Sequence, residues 1–331
     1  MRSLHIKEGI RQAKKVLKDA GRLAGTSLPA TAMLALSLAV LPALLKALLL
    51  SSSQAAYLSV WEGWLSALFS GRSPAESLVS MAYQALGRPG LHDPALGALD
   101  LAVSLLLTPL LLSALSLLYN GFVPRSKSQA FDAVRRALAS VRALVLVALA
   151  CMLAEWLAQV VPSTVSGLLY SVAGLLSFIP FVGQAAAWLS VLLSLLVSAL
   201  TDFLVSVVFC YVWISASCEG VSGLGALVRS WQLTRLSLRE TIASLAVLLL
   251  LRWAATVALF LLWLFAGRAL HVPIQLLVYG GFALSGLYTA ALGPVASALY
   301  LRRPASHGPF GGRPAGAGPN FDHMKRANVD D

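Results

Sequence analysis

Apolar residues run through the chain in six long blocks: Leu28–Leu50, Leu96–Tyr119, Leu144–Val161, Ala185–Ile214, Thr241–Ala266 and Pro273–Leu301. About 20 apolar residues let an α-helix cross roughly 30 Å of hydrocarbon. Within lipid each backbone N–H and C=O must find its partner inside the segment, so blocks of this kind are helices. The pattern predicts an all-α, polytopic integral membrane protein with six transmembrane helices. Pro42, Pro109 and Pro294 fall inside blocks and predict kinks, tolerated where neighbours satisfy the freed carbonyls.

One stretch breaks the rhythm. No charged residue occurs from Leu157 to Thr201, and Ser163–Phe178 has the composition of a further span, followed by Ile179-Pro180-Phe181-Val182-Gly183. A true crossing there would invert half of the connections, so it is expected to be an interfacial or re-entrant helix closed by the Pro–Gly turn. The connection Ser51–Pro94 carries Trp61, Trp64, Phe69 and Tyr83 with few charges. Aromatic residues of this kind gather at membrane interfaces, and a helix lying on the outer leaflet is expected. Residues 304–331, rich in Pro and Gly without an apolar period, are expected to form a disordered tail. Residues 1–25 are basic and 28–50 apolar, as in a secretory signal, but the apolar run exceeds the roughly 7–15 residues of a cleaved one.

Each pair of spans is preceded by a short basic amphipathic segment. In residues 1–25, Ile6, Ile10, Ala13, Leu17, Ala20 and Ala24 recur at steps of three and four, beside Lys7, Arg11, Lys14, Lys18 and Arg22. That is the pattern of a helix half-sunk in an anionic surface. Ala130–Leu138, with Arg135 and Arg136, and Gly225–Leu233, with Arg229 and Arg235 just beyond, repeat it. The chain is thus expected to hold three copies of one unit, a surface helix followed by a transmembrane hairpin, within a membrane domain spanning residues 26–303.

Charge orients the bundle. The chain is 58% hydrophobic and only 12% charged, where a soluble domain carries about 25%. Lys and Arg number seven before the first span, then five, three and five in the second and fourth connections and the tail. The first, third and fifth connections have two, none and one. The positive-inside rule places both termini in the cytoplasm of a cell membrane. The net charge of +11 therefore addresses anionic lipid and not nucleic acid. Cys151, Cys210 and Cys218 lie in or beside apolar blocks without metal spacing, and read as packing residues.

A resemblance enters at Cys218-Glu219-Gly220 and Ala226-Leu227-Val228-Arg229-Ser230-Trp231-Gln232-Leu233-Thr234-Arg235. This segment resembles one that enters the fifth helix in a bacterial family of six-helix membrane proteins. They are related to the membrane domain of glycerophosphodiester phosphodiesterases and include small relatives of unknown function. The resemblance implies the six-span layout from about residue 5 to 303, and singles out Glu219, Gly220, Arg229, Ser230, Trp231, Leu233 and Thr234. The chain departs at Leu236, where the family usually has Gly. Only a short tail follows the last span, so the family's enzymatic activity is not expected here.

Ionisable residues inside spans are costly and usually paired or functional. Asp202 and Arg252 fall near the middle of the fourth and fifth spans, at similar depth, and are expected to form an ion pair. Lys46, Asp100 and Glu155 lie nearer the outer ends. The five histidines are scattered, none mid-span. No metal-binding His-Glu-x-x-His, phosphate-binding Gly-rich loop or Gly-x-Ser-x-Gly elbow occurs, so no cofactor or catalytic residue is assigned. Gly280, Gly281, Ser285 and Gly286 read as close helix packing, not as a serine nucleophile. Two functions remain: a non-catalytic membrane organiser that binds anionic lipid or a membrane-protein partner, and a transporter or permease subunit with a polar path past Asp202 and Arg252. A dry Asp202–Arg252 pair favours the first, a water-accessible cavity reaching Asp202 the second.

Overall fold

The computed structural model describes residues 2–53, 98–99, 101–124, 126, 128–176, 178–263, 265 and 274–302. Nearly all of the Ser51–Pro94 connection and the tail from Arg303 onward lie outside these residues, as does Asp100. Among the described residues there is no strand. Five helices are long and apolar enough to cross a membrane and a sixth is shorter, in the layout of a multi-pass membrane protein.

The chain begins with surface helix α1 (Arg2–Thr26). The rod α2 follows, built of Leu28–Ala35, a π-turn at Leu36–Val40, and Leu41–Ser53. Helix α3 contains a second π-turn, Val103–Leu107, preceded by helical Leu101 and Ala102, and continues as Thr108–Tyr119. Each π-turn sits two residues before a proline, Pro42 or Pro109. Proline has no N–H to give the carbonyl a turn earlier, and the widened turn absorbs the mismatch. Then come α4 (Gln129–Ala139), α5 (Val141–Leu176), α6 (Pro180–Phe209), α7 (Val212–Cys218), α8 (Leu224–Leu236), α9 (Leu238–Leu262) and α10 (Ile274–Leu301).

The expected re-entrant segment is corrected. Ser163–Phe178 does not form a separate helix: α5 runs unbroken through Pro162 to Leu176, and its 36 residues reach about 54 Å. Pro180 opens the next helix, the position where a missing N–H leaves no bond unmade. The charge-free stretch is therefore the far half of one long α5–α6 hairpin, about 24 Å longer than the hydrocarbon it would cross upright. The fourth block is in turn divided, at Cys210-Tyr211, into α6 and α7.

The threefold organisation is visible in the backbone. Each surface helix joins the following span through one serine: Ser27 (φ −131°, ψ 34°), Ser140 (φ −105°, ψ 18°) and Ser237 (φ −130°, ψ 32°). Each of these serines accepts, on its carbonyl, the N–H four residues ahead, from Thr31 at 2.9 Å, Leu144 at 3.0 Å and Thr241 at 2.9 Å. Seven residues before each junction stands a small buried residue, Ala20, Ala133 or Ser230. Gly121 and Gly220, at φ 78° and 70°, end the second spans of the first two units, where a side chain would be strained.

The units are interlocked. Helix α1 packs on α9 and α10 of the third unit, α4 on α3 and α2 of the first, and α8 on α7, α6 and α5 of the second. Each surface helix thus docks on the hairpin of another unit, and α1 closes the ring. The apolar face of α1 that the sequence assigns to lipid is covered by protein: Ala13, Val16, Ala20 and Leu23 belong to the buried set. The core lies at this end of the bundle, running from Val16 and Leu23 through Tyr119, Ala133, Tyr211 and Leu233 to Val295–Leu299.

Candidate functional site

The polar residues singled out from sequence divide between two places. The first is the seam where each second span meets the next surface helix. Arg229 donates through Nε to Glu219 Oε2 at 2.8 Å and through Nη2 to Glu219 Oε1 at 3.2 Å, and Tyr300 Oη donates to the same Oε1 at 3.0 Å. The two charged side chains are only 14% and 17% exposed. The Glu219 hydrogen bonds raise the Arg229 pKa, against a smaller opposing effect of burial. The equivalent seam between the third unit and α1 carries the reverse polarity, with Arg302 donating to Asp19 Oδ2 at 3.0 and 2.6 Å. At the remaining seam Arg136 donates to the Phe122 carbonyl.

Ser230 and Thr234 have an equally structural task. The break between α6 and α7 frees carbonyls, and Ser230 donates to Val208 O while Thr234 donates to Val207 O at 3.2 Å. Ser230 Oγ also accepts the Tyr211 N–H at 3.2 Å. Leu233 is buried beside them and Trp231 faces outward. The motif from Cys218 to Arg235 is therefore the mortar of one seam. Of the expected lipid contacts, Arg229 turns inward to these bonds, whereas Arg11, Lys14, Lys18, Arg135, Arg235 and Arg136, despite its bond to the Phe122 carbonyl, are exposed. The Lys7 side chain lies outside those described.

The second place is within the bundle. The expected Asp202–Arg252 pair is corrected: the two charges have separate partners. Asp202 accepts from Gln159 Nε2 of α5 at 2.8 Å, and Arg252 lies 4.8 Å from the Tyr288 ring centre with Nη2 3.4 Å from Ser285 Oγ, both on α10. Similar depth brought them together on paper, but they point to different sides of their helices. Residues that share no contact lose stability independently. Asp202→Ala and Arg252→Ala should therefore be additive in thermal unfolding in detergent, each costing about 0.5–1.5 kcal/mol. Asp202→Ala with Gln159→Leu should cost less than the sum of its parts. Recovery of stability in Asp202→Ala/Arg252→Ala would restore the ion pair.

A cavity of about 270 Å³ opens one turn from Asp202, walled by α3, α5, α6–α7 and α10. Its polar lining comes from Ser104, Thr108 and Ser116 of α3, Glu155 and Cys151 of α5, Ser206 of α6, Cys210 at the α6–α7 break, and Thr289 of α10. Glu155 stands fourteen residues, about 21 Å, along α5 from Val141, at membrane depth. One turn further out, Gln159 and Asp202 continue the same faces of α5 and α6. Two of the walls are irregular where they meet the cavity, the π-turn of α3 before Pro109 and the α6–α7 break, while α10 carries Gly293-Pro294 within an unbroken helix. Irregular backbone at membrane depth is tolerated where it is buried in protein or lines a water-filled space. π-Turns are frequent at functional sites for a related reason. The sequence names Glu155, Cys151 and Cys210 but not the hydroxyl residues around them, because Ser and Thr within spans look like filler. The signal was present on α3, where Ser104, Thr108 and Ser116 recur on one face.

No protein-family model, curated protein or solved structure matches the chain. Among the described residues no group of three or more His, Cys, Asp or Glu is placed to hold a metal ion.

Proposed function

We propose that the chain is a transporter or permease component of the cell membrane, in which a small polar solute moves through the cavity between α3, α5, α6–α7 and α10. The observation that carries this reading is the cavity itself. It is lined by a carboxylate and several hydroxyls at membrane depth, beside the π-turn of α3 and the α6–α7 break, one turn from Asp202. Its volume falls just below the roughly 300–1,000 Å³ of small-molecule pockets, which suits a small solute. Arg252 lies beside the path, on Tyr288, and not across it from Asp202. The reading is of a non-catalytic protein.

The surface helices support a second part of the proposal: both termini face the cytoplasm, and α4 and α8 rest on anionic lipid. Exposed Phe131 and Leu138 lie beside Arg135 and Arg142, and exposed Val228 and Trp231 beside Arg235 and Arg239. Aromatic and basic side chains so combined match the water–lipid boundary. The same helices leave room for an organising role with a membrane-protein partner. Kinship with the six-helix family is part of this proposal and rests on the segment from Cys218 to Arg235.

The cavity holds its own reporters. In single-cysteine variants studied in native membrane, a charged maleimide should label Cys210 with a rate set by water access, and Cys151 more slowly. Gln232→Cys on the exposed face of α8 serves as the reactive control. Failure of both cavity thiols to react, with the control fully labelled, would make the cavity dry and end the transport reading.

A further inference from the structure

The three surface helices are equivalent in the fold but not in the faces they leave exposed. Nine residues before the junction serines stand Lys18, Phe131 and Val228, and six before them stand Gly21, Val134 and Trp231. Phe131, Val228 and Trp231 are exposed, and give α4 and α8 apolar side chains to set in lipid beside their arginines. Helix α1 has none. Ala13, Val16, Ala20 and Leu23 are buried where it packs on the bundle, and every exposed residue from Arg11 to Gly25 is a lysine, an arginine or a glycine. The strip holds five cations, Arg11, Lys14, Lys15, Lys18 and Arg22, along about 16 Å of helix. Arg11 and Lys15, Lys14 and Lys18, and Lys18 and Arg22 stand four residues apart, where like charges repel. A helix face that serves only to meet water mixes the two signs. Among the described residues none of the five has an ion-pair partner. The one described carboxylate of α1, Asp19, is taken by Arg302 at 2.6 Å, which also pins the helix to the end of α10. The cations are thus uncompensated and presented on a fixed rod.

We infer that the outer face of α1 is a docking surface for an acidic segment of a partner polypeptide. Charge complementarity selects the occupant: Asp and Glu side chains spread over about three helical turns match the length of the strip. At Gly21 and Gly25 a Cβ would meet nothing within 4 Å, so open backbone lies beside Lys18 and Arg22 for the partner's main chain to approach. An anionic membrane surface is the alternative for a basic helix next to a span. In this chain, however, the helices suited to lipid combine their arginines with exposed Phe, Leu, Val or Trp, and α1 lacks every one of these. Single-stranded nucleic acid fits less well, because the strip carries no aromatic ring on which a base could stack. This surface gives the membrane-protein partner of the proposed function a place and a chemistry. It rests on that part of the proposal and not on transport.

The probe is a fluorescent oligo-glutamate peptide, titrated against the purified full chain in discs of neutral phosphatidylcholine and followed by anisotropy. The expected result is saturable binding that weakens as salt rises, since the contacts are exposed charges. Lys14→Gln/Lys18→Gln/Arg22→Gln should weaken it about tenfold or more, the scale of three lost surface charges. Arg135→Gln/Arg235→Gln, which removes exposed cations of α4 and α8, should leave it within about twofold, as sites without shared contacts do. If the triple variant does not fold, Lys18→Gln alone takes its place and should weaken binding several-fold. Absence of binding to the wild type overturns the inference, as does an equal loss in the α1 variant and the α4/α8 variant. Binding that vanishes in discs of anionic phosphatidylglycerol would show that lipid occupies the strip, and would overturn it too. Tighter binding of duplex DNA than of the peptide, lost in the same α1 variant, would do so in favour of nucleic acid. No peptide binding with Cys151 and Cys210 reactive would remove this surface and leave transport standing. Peptide binding with both thiols unreactive would do the reverse.

Discussion

Glu219→Ala should lower the stability of the folded chain by about 2–3 kcal/mol, read as a fall in Tm in detergent. The change removes the acceptor of three hydrogen bonds, two from Arg229 and one from Tyr300. Hydrogen bonds to charged groups contribute about 1.5–3 kcal/mol, and a largely shielded guanidinium left without its partner carries a further penalty. The damage should extend beyond the pair, since Glu219 ends the second unit, Arg229 begins the third and Tyr300 closes the last span. Arg229→Ala should cost less than Glu219→Ala, because it leaves the carboxylate with the Tyr300 hydroxyl. The double change should fall well short of additive. The equivalent seam holds Asp19 and Arg302 with the charges exchanged, so the site tolerates either polarity. Glu219→Arg with Arg229→Glu should therefore recover part of the loss, with Tyr300 left to find another acceptor. Equal stability of Glu219→Ala and wild type would mean that apolar contacts alone hold the seam.

How much of this was legible without coordinates depends on what each signal encodes. Hydropathy encodes depth, and the spans and surface helices fall close to where periodicity predicts them. It does not encode rotation about a helix axis, and on that point the Asp202–Arg252 expectation failed: Asp202 turns to Gln159, and Arg252 to Tyr288. Pro162 misled for a different reason. In water a proline ends a helix, but within a hairpin its neighbours let α5 continue for fourteen more residues. The surface helices were read correctly as amphipathic, yet their buried faces are rich in small residues, Ala13 and Ala20, Ala130, Ala133 and Ala137, and Ala226, Ser230 and Thr234, which are weak signals of lipid burial. Small residues at such spacing mark close helix contact, and here the contact is with another unit of the same chain. The cavity was least legible. Its hydroxyls are scattered over α3, α6 and α10, and only the fold gathers them around Glu155.

The last span provides a test in which nearby glycines should respond with opposite signs. A Cβ at Gly286 would stand 2.8 Å from the Ala39 carbonyl oxygen, 3.0 Å from its carbon and 3.2 Å from Val40 Cα. All three atoms are backbone, in the π-turn Leu36–Val40 of α2, so no side chain can rotate away. The widened turn brings α2 against α10, and glycine is what lets the helices meet. Gly286→Ala should cost about 1–3 kcal/mol, as overpacking does in well-packed interiors, and Gly286→Leu more, separating the first hairpin from the last span. At Gly281 a Cβ meets nothing within 4 Å, so Gly281→Ala should be neutral or stabilising by up to about 1 kcal/mol through helix propensity. Gly280→Ala should fall between them, because its neighbour at 2.8 Å is the flexible end of Leu259. The measurement is Tm in detergent for the three alanine variants and Gly286→Leu. The order 281, 280, 286 from most to least stable is the expected outcome. A Gly286→Ala protein as stable as Gly281→Ala would mean that α2 and α10 are further apart than this packing requires. The α2–α10 contact would then no longer brace the bundle beside the cavity.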